Sequence, residues 1–255
     1  MINVAVCGCA GKMGSTVVKT VKQQQDMYLV CGIDPYALSD SEYPVYPSIA
    51  EALENEQFDV LVDFTAPSVV ESTLRVALPA GVDCVVGTTG LTEEKLSELA
   101  SLAPEGTCLF HAPNFTTGAV FMMQFAKMAA AFFPEAEVLE FHHASKKDAP
   151  SGTATRTASI ISEARGGRVS EAPGKETEID GAEGARGALI NGVPVHSIRS
   201  DGFVATQEVI FGSMGQTLTI KHDSWDRTSY MPGVMLAIRE VGERSGLIVG
   251  LENFL

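Results

Sequence analysis

The chain has 255 residues, of which 45% are hydrophobic and 20% are charged. It is therefore long enough to bury a core and too apolar to be intrinsically disordered. Its 18 basic and 32 acidic side chains leave a formal net charge of −14, which argues against nucleic acid as the main ligand, because a phosphate backbone would be repelled over most of the surface. A small anionic substrate needs only a local pocket of positive charge.

Other features of the sequence predict a soluble, cytoplasmic protein that does not enter a membrane. No apolar run approaches the roughly 18 residues that cross a bilayer, and the N-terminus lacks the basic and apolar regions of a secretory signal. The cysteines are odd in number, and their spacing fits neither a disulfide framework nor a paired zinc site. They are Cys7, Cys9, Cys31, Cys84 and Cys108. We expect them to be reduced.

The first half of the chain alternates short apolar runs with amphipathic stretches. The runs are short and rich in β-branched residues, which predicts buried strands at 2–7, 28–33, 58–63, 83–86 and 107–110. The amphipathic stretches predict helices at 12–24, 48–55, 67–79 and 92–102, with Ser48 and Thr92 as N-terminal caps. Such alternation predicts right-handed βαβ units and a parallel sheet.

The pattern changes after Pro113, which indicates a domain boundary near residue 114. The periodicity predicts helices at 118–133, 152–165 and 230–244, and strands at 137–143, 195–200, 204–212 and 216–222. The glycine-rich, charged residues 166–187 predict a long surface loop. The strands of this half are typical of an open mixed or antiparallel sheet.

A glycine-rich segment directly follows the first predicted strand and opens the first helix. It comprises Gly8, Cys9, Ala10, Gly11, Lys12, Met13 and Gly14. Glycine there permits a tight turn, lets backbone N–H groups approach a pyrophosphate, and allows close packing of helix on strand. The spacing G-x-x-G-x-x-G is a variant of the common dinucleotide motif, and a tight turn without a ligand is the alternative. Asp34, 20 residues after Gly14 at the end of the second strand, is suited to a ribose hydroxyl and favours a Rossmann-like nucleotide site.

The same residues bear on which nicotinamide cofactor is used. Asp34 repels a 2′-phosphate and favours NADH, whereas Lys12 either offsets that charge or is an ordinary surface lysine. We therefore predict use of NADH or NADPH. Two segments at the carboxyl ends of later strands are suited to the ribose and nicotinamide of the cofactor. They are Gly87, Thr88 and Thr89, and Ala112, Pro113, Asn114 and Phe115. The alternative is that each segment is an ordinary turn without a ligand.

The densest set of protic side chains lies in residues 140–154. His142 and His143 end a predicted strand, and Lys146 follows shortly after them. Ser151-Gly152-Thr153 then begins a helix whose N–H groups and hydroxyls suit a carboxylate. Neighbouring residues on a strand point to opposite faces, and no cysteine or HExxH motif is near, so we predict no metal site. The simpler alternative to a functional cluster is that His142 and His143 are ordinary surface histidines before a turn.

Over essentially its whole length the sequence resembles the 4-hydroxy-tetrahydrodipicolinate reductase family, also called dihydrodipicolinate reductase. The most specific part is HHxxKxDAPSGTA, from His142 to Ala154, accompanied by the glycine loop, Gly87-Thr88-Thr89 and Ala112–Phe115 in the family's order. Some members of the family carry more basic residues where this chain has Ala144 and Ser145, so the local positive charge is lower here.

The resemblance implies NADH- or NADPH-dependent reduction of a cyclic dicarboxylate to tetrahydrodipicolinate, in the diaminopimelate route of lysine biosynthesis, by a homotetramer. It implies that His142 gives or accepts a proton and that Lys146 is a proton donor. His143, Gly152 and Thr153 would hold the substrate, the last two through a carboxylate.

We thus expect an α/β enzyme of two domains. Residues 1–114 and 226–255 would form a Rossmann-like dinucleotide-binding domain. Residues 115–225 would form a smaller α+β domain with an open mixed sheet for substrate binding and tetramerisation. A related amino-acid or semialdehyde dehydrogenase, and a nucleotide-sensing protein without turnover, are the alternatives.

Overall fold

The computed structural model describes residues 1–37, 42–167 and 184–255. Most of the surface loop predicted at 166–187 lies outside the described residues, while 166–167 and 184–186 are turns. The chain divides into two compact units. Unit 1 comprises Met1–Thr117 and Arg227–Leu255, and unit 2 comprises Gly118–Asp226.

The elements follow one another in a largely alternating order. The strands of the described chain are β1 Ile2–Cys7, β2 Met27–Ile33, β3 Val45–Tyr46, β4 Val60–Asp63, β5 Asp83–Val86, β6 Cys108–His111, β7 Glu135–His142, β8 Ala188–Ile190, β9 Val193–Arg199, β10 Ala205–Ser213, β11 Gln216–Ser224 and β12 Gly246–Val249. The helices are α1 Gly14–Val21, α2 Ile49–Asn55, α3 Pro67–Ala77, α4 Glu93–Ala100, α5 Thr117–Ala130, α6 Gly152–Ala164 and α7 Met231–Val241. Short 3₁₀ helices cover Arg227–Tyr230 and Leu251–Phe254.

Unit 1 is built on a sheet whose described strands lie in the order β12-β6-β5-β4-β1-β2-β3 and all pair in parallel. The central strands read as continuous apolar runs because both faces are covered, and Val4, Ala5 and Val6 are fully buried. This confirms the predicted Rossmann-like parallel sheet. The carboxyl ends of β1, β4, β5 and β6 meet at one edge, where ligands of such sheets bind.

The helix starts in unit 1 follow the predicted caps. Ser48 Oγ accepts a 3.3 Å hydrogen bond from the Glu51 N–H, and Thr92 Oγ1 accepts a 3.2 Å bond from the Lys95 N–H. Each bond satisfies one of the N–H groups that a helix leaves without an internal partner. The two cap predictions are confirmed.

Unit 2 contains a mixed sheet, which confirms the predicted fold class. In the described residues its strand order is β11-β10-β7-β9-β8, with β7 and β9 parallel and the other pairs antiparallel. Helix α6 packs on β7 and β9. The edge strand β11 is largely exposed, whereas β7 and β10 alternate between buried and half-buried residues.

Three strands were missing from the sequence prediction. β3 has only two residues, β8 is mostly exposed, and β12 is a short edge strand between Gly246 and Gly250, both with positive φ. Neither a two-residue strand nor an exposed edge strand carries a usable apolar pattern, so the pairing of these strands is set by the sheet they join. Among the described helices, none is long and apolar enough to cross a membrane.

Candidate functional site

The glycine loop between β1 and α1 is packed so tightly that side chains are sterically excluded at two positions. Gly8 adopts a φ of +73°, and a Cβ there would lie 2.8 Å from the carbonyl oxygen of Phe64. A Cβ on Gly14 would lie 2.0 Å from the carbonyl oxygen of Gly8. The loop closes on itself through a 2.9 Å hydrogen bond from the Gly11 N–H to the Gly8 carbonyl. The glycines thus bring strand, loop and helix N-terminus together as an anion-binding turn requires.

Asp34 follows β2 and is bonded to this loop. Its Oδ2 accepts a 3.2 Å hydrogen bond from the Ala10 N–H, and its Oδ1 accepts a 3.0 Å bond from the Tyr36 N–H. The carboxylate borders a cavity of about 570 Å³ in unit 1. The cavity lining includes Gly8, Gly11, Asp34, Pro47, Thr65 and Val69. Its size, its apolar walls and a carboxylate beside a glycine loop fit an adenosine moiety.

The charge around this cavity matters for cofactor preference. No lysine, arginine or histidine of the described chain lines it, and Lys12 is exposed outside the lining. The sequence from Asp34 to Tyr43 also contains no basic residue. In the described lining of this cavity, no basic side chain therefore faces a 2′-phosphate next to Asp34.

Sequence reasoning missed a buried carboxylate at the end of β4. Asp63 is fully buried, and its Oδ1 accepts hydrogen bonds from Thr88 Oγ1 at 2.6 Å, Thr65 Oγ1 at 2.8 Å and the Thr65 N–H at 3.1 Å. Thr65 N–H also donates to Thr88 Oγ1 at 2.8 Å. Burial raises the pKa of Asp63 above its ordinary value, although these hydrogen bonds act in the opposite direction. The only sequence signal was an acidic residue closing an apolar strand.

The other predicted cofactor contacts lie at the same sheet edge, with different exposure. Thr88 is buried, and its hydroxyl is engaged by Asp63, whereas Thr89 and Pro113 are exposed. Phe115 is buried, with its ring 5.6 Å from that of Phe64 and 5.8 Å from that of Phe110. Its ring is therefore a core contact, which leaves its backbone as the part able to meet a ligand.

The remaining predicted cofactor residues differ in what they can present. Cys9 and Ala112 are buried, so only their backbone can meet a ligand, and Cys9 Sγ packs against Gly32. Met13 and Gly87 are partly buried, and a Cβ on Gly87 would fall 2.1 Å from the Phe64 ring. Asn114 is partly buried, and its Oδ1 accepts a 2.8 Å hydrogen bond from the Thr116 N–H.

In unit 2, His142 is the last residue of β7 and is held by a buried carboxylate. Its Nδ1 contacts Oε2 of Glu140, which is fully buried. Burial lowers the pKa of His142, although Glu140 raises it, and Lys146 and Arg199 lower it further. A lowered pKa favours the neutral imidazole at neutral pH, and an anion bound nearby would raise that pKa.

Lys146 and His143 lie in the turn after β7. Lys146 Nζ is 2.8 Å from Asp148 Oδ1, and His143 Nδ1 is 2.8 Å from the exposed hydroxyl of Ser145. His143 is exposed, whereas the Lys146 side chain is 22% exposed. Both residues follow His142 in the same turn, and the Lys146–Asp148 pair was not predicted from the sequence.

The start of α6 completes this cluster. Ser151 caps the helix, with its Oγ accepting a 3.2 Å hydrogen bond from the Ala154 N–H. Gly152 is exposed, and the space that a Cβ would fill there is open. Thr153 is partly buried in the same first turn. The Ser151 N–H and His142 Nδ1 contact the same Glu140 carboxylate, and a helix N-terminus with open space at Gly152 is suited to a carboxylate.

We found no group of three or more metal-ligating side chains in the described ranges. The absence of a metal requirement stays a prediction.

Comparison with known proteins places the whole chain in one family. Residues 2–115 match the family described as "Dihydrodipicolinate reductase, N-terminus", and residues 118–255 match "Dihydrodipicolinate reductase, C-terminus". The chain is 46% identical to the 4-hydroxy-tetrahydrodipicolinate reductase of Mycolicibacterium vanbaalenii over 256 residues, covering 100% of this chain and 99% of the relative. It is also 46% identical to the enzyme of that name from Listeria welshimeri, with 100% of both chains covered.

A solved structure of the same family has a closely similar fold. The dipicolinate-bound dihydrodipicolinate reductase from Paenisporosarcina sp. TG-14 superposes with a TM-score of 0.92 at 40% identity, covering 100% of both chains. An amine dehydrogenase from Mycobacterium smegmatis shares the fold alone, with a TM-score of 0.65 at 15% identity over 98% of this chain and 95% of that one. The chain belongs to the dihydrodipicolinate reductase family.

Proposed function

We propose that the chain reduces 4-hydroxy-tetrahydrodipicolinate to tetrahydrodipicolinate with NADH or NADPH, in the diaminopimelate route of lysine biosynthesis. The observation that carries the proposal is the grouping of His142, Lys146 and the N-terminus of α6 within one unit. A family relative binds dipicolinate, a planar dicarboxylate of the same class as the substrate. A nucleotide sensor without turnover would leave this protic cluster without a role.

Unit 1 is the candidate dinucleotide-binding domain. The glycine loop from Gly8 to Met13 would hold the pyrophosphate, and Asp34 the adenosine ribose. The segments 87–89 and 112–115 would hold the second ribose and the nicotinamide. When bound, the reduced nicotinamide supplies the hydride. NADH is the preferred form, because Asp34 repels a 2′-phosphate and no basic side chain of the described lining compensates.

Unit 2 is the candidate substrate-binding and tetramerisation domain. The backbone N–H groups of Gly152 and Thr153, together with the Thr153 hydroxyl, would bind one carboxylate of the substrate. His143 would contact the same molecule. Hydride addition to an unsaturated carbon leaves negative charge that must be protonated. The neutral His142 gains a proton more readily once a dianion lies beside it, and Lys146 supplies a second proton donor.

Exposed apolar side chains on α5 support the assembly part of the proposal. Phe121, Phe125 and Met128 are 44%, 51% and 69% exposed, and the two phenylalanine rings stack at 5.8 Å. An apolar stripe of this kind on a folded chain marks an association surface. We propose a homotetramer that acts in the cytoplasm. Light scattering after size-exclusion chromatography measures the mass, and a monomer at micromolar concentration would contradict this part.

Turnover by the wild-type protein tests the function. The absorbance of NADH or NADPH is followed after addition of freshly generated 4-hydroxy-tetrahydrodipicolinate. We expect oxidation of both cofactors, with a lower KM for NADH. No oxidation of either cofactor would overturn the proposed reaction. Oxidation with an amino acid or a semialdehyde instead would favour a related dehydrogenase.

A further inference from the structure

The carboxylate of Glu140 is the most heavily bonded acidic group of unit 2 among the hydrogen bonds described. Besides contacting His142, it accepts hydrogen bonds from Arg199 Nη2 at 2.8 Å and Arg199 Nη1 at 3.1 Å. It also accepts a 3.3 Å bond from the Ser151 N–H at the start of α6. A fully buried carboxylate is costly unless it is paired in this way. The burial of a charged Glu140 side chain therefore indicates that its contacts have a role beyond stability.

Arg199 extends the same network to the turn that carries Lys146. Its Nη2 donates a 2.7 Å hydrogen bond to the backbone carbonyl of Asp148, whose side chain pairs with Lys146. Arg199 ends β9, which pairs in parallel with β7, so His142 and Arg199 are register partners. The Glu140–Arg199 pair thus touches the imidazole, the lysine turn and the helix N-terminus that would bind substrate.

The ionisation of Glu140 decides which nitrogen of His142 carries a proton. Burial alone raises the pKa of Glu140, but hydrogen bonds from Arg199, Ser197 and His142 outweigh burial, so the pKa lies below its ordinary value. An ionised carboxylate only accepts hydrogen bonds. Nδ1 of the neutral imidazole must therefore be the protonated nitrogen, which leaves Nε2 to exchange a proton.

We propose that the Glu140–Arg199 pair is the positioning device of the active site, because it fixes the Nδ1–H tautomer of His142 and the backbone that presents Lys146 and the α6 N-terminus. Glu140 and Arg199 act through these groups and are positioning residues, not catalytic ones. The inference rests on the proposed function, in which Nε2 of His142 exchanges a proton with the substrate.

Glu140→Gln is the first test, because the amide keeps the size of the side chain, removes its charge and can donate to Nδ1. We expect kcat to fall by at least about 100-fold, the contribution of a positioned acid or base, while the NADH Kd in unit 1 stays within about twofold. The charged groups that act on His142 are Glu140, Lys146 and Arg199. Loss of the Glu140 charge lowers the pKa of His142, so the pH limb of kcat/KM at which His142 loses its proton shifts to lower pH.

Glu137→Gln is the matched control. Glu137 lies on the same strand and also pairs with a histidine and an arginine, through a 2.5 Å contact with His196 and an ion pair with Arg186. It contacts none of the groups of the proposed site in the described contacts. The Glu137→Gln variant should keep the wild-type kcat and the wild-type pH profile of kcat/KM. Glu140→Asp should recover part of the lost kcat because it restores the charge.

Removing one member of a buried pair can prevent folding, so two further measurements keep the inference testable. The double variant E140Q/R199M removes both charges and should melt cooperatively while still lacking turnover. Heteronuclear NMR of the wild-type imidazoles, above the pKa of His142, should show the Nδ1–H tautomer at that residue.

An Nε2–H tautomer in the wild-type protein, or wild-type kcat and pH profile in Glu140→Gln, would overturn the inference. Failure of the proposed function is a separate result, since the wild-type protein would then oxidise neither cofactor.

Discussion

The hydroxyl of Thr88 donates a 2.6 Å hydrogen bond to the buried carboxylate of Asp63, which ties the segment after β5 to the end of β4. The second carboxylate oxygen, Oδ2, has no hydrogen-bond partner within the described chain. Asp63 therefore gathers three donors on one oxygen at the sheet edge where the candidate nucleotide cavity lies. The arrangement makes Asp63 the residue that shapes the two loops beside the proposed cofactor.

Removal of this acceptor should weaken both the fold and the cofactor site. Asp63→Ala leaves the hydroxyls of Thr65 and Thr88 without their acceptor, so we expect the free energy of unfolding to fall by about 1–3 kcal/mol. NADH binding should weaken as the loops relax. Denaturant unfolding and calorimetric titration measure the two effects. Asp59→Ala is the control, because Asp59 accepts a 2.7 Å hydrogen bond from the Asn3 N–H at the opposite end of the sheet. Equal loss of NADH affinity in both variants would contradict the assignment.

The raised pKa of Asp63 predicts a pH dependence of stability. Between the ordinary aspartate pKa of about 3.9 and the raised value, the folded protein binds more protons at Asp63 than the unfolded chain. The contribution of Asp63 to stability therefore falls as pH rises through this window. Asp63→Asn should remove that contribution, so the melting temperature of the variant should rise relative to that of the wild type as pH increases from about 3.9 through the raised pKa of Asp63. Melting curves at several pH values test this, and a constant difference would contradict it.

Asp34 should control the choice of cofactor. Asp34→Ser removes the charge that repels a 2′-phosphate and the acceptor suited to a ribose hydroxyl. We expect the ratio of NADPH to NADH affinity to rise by about tenfold, which corresponds to about 1.4 kcal/mol. Calorimetric titration with both cofactors measures the ratio. Asp59→Ser should leave it unchanged, and an unchanged ratio in Asp34→Ser would remove Asp34 from the ribose site.

Gly152 tests the carboxylate site at α6 separately from folding. A Cβ at this position meets no atom of the protein, so Gly152→Ala should leave the melting temperature unchanged or slightly higher. The same methyl group would occupy the space through which a carboxylate approaches the helix N–H groups. We expect KM for the substrate to rise about tenfold with little change in NADH affinity. Unchanged KM would show that substrate does not approach Gly152.

Much of the fold follows from local pattern. The β-branched apolar runs predicted β1, β2, β4, β5 and β6, because strands buried on both faces must be continuously apolar. The pattern around His142 likewise predicted a strand, a turn and a helix in the right order. β12 was not predicted, because an edge strand of four partly exposed residues depends on the neighbour it joins.

The partners of the site residues could not be predicted in the same way. Glu140 and Arg199 are 59 residues apart, and only the parallel pairing of β7 and β9 brings them together. Asp63 and Thr88 are 25 residues apart and meet because β4 and β5 are neighbours. Motifs identify groups that are close in sequence, whereas ion pairs and hydrogen bonds across a sheet depend on strand order.

The kcat of His142→Gln, measured at saturating NADH and substrate, tests the central claim most directly. The claim is that proton transfer in unit 2 depends on His142, whereas unit 1 binds the cofactor. We predict a kcat at least about 100-fold below wild type, with the NADH Kd within about twofold of the wild-type value. A kcat near the wild-type value, with substrate still reduced, would contradict the role of His142.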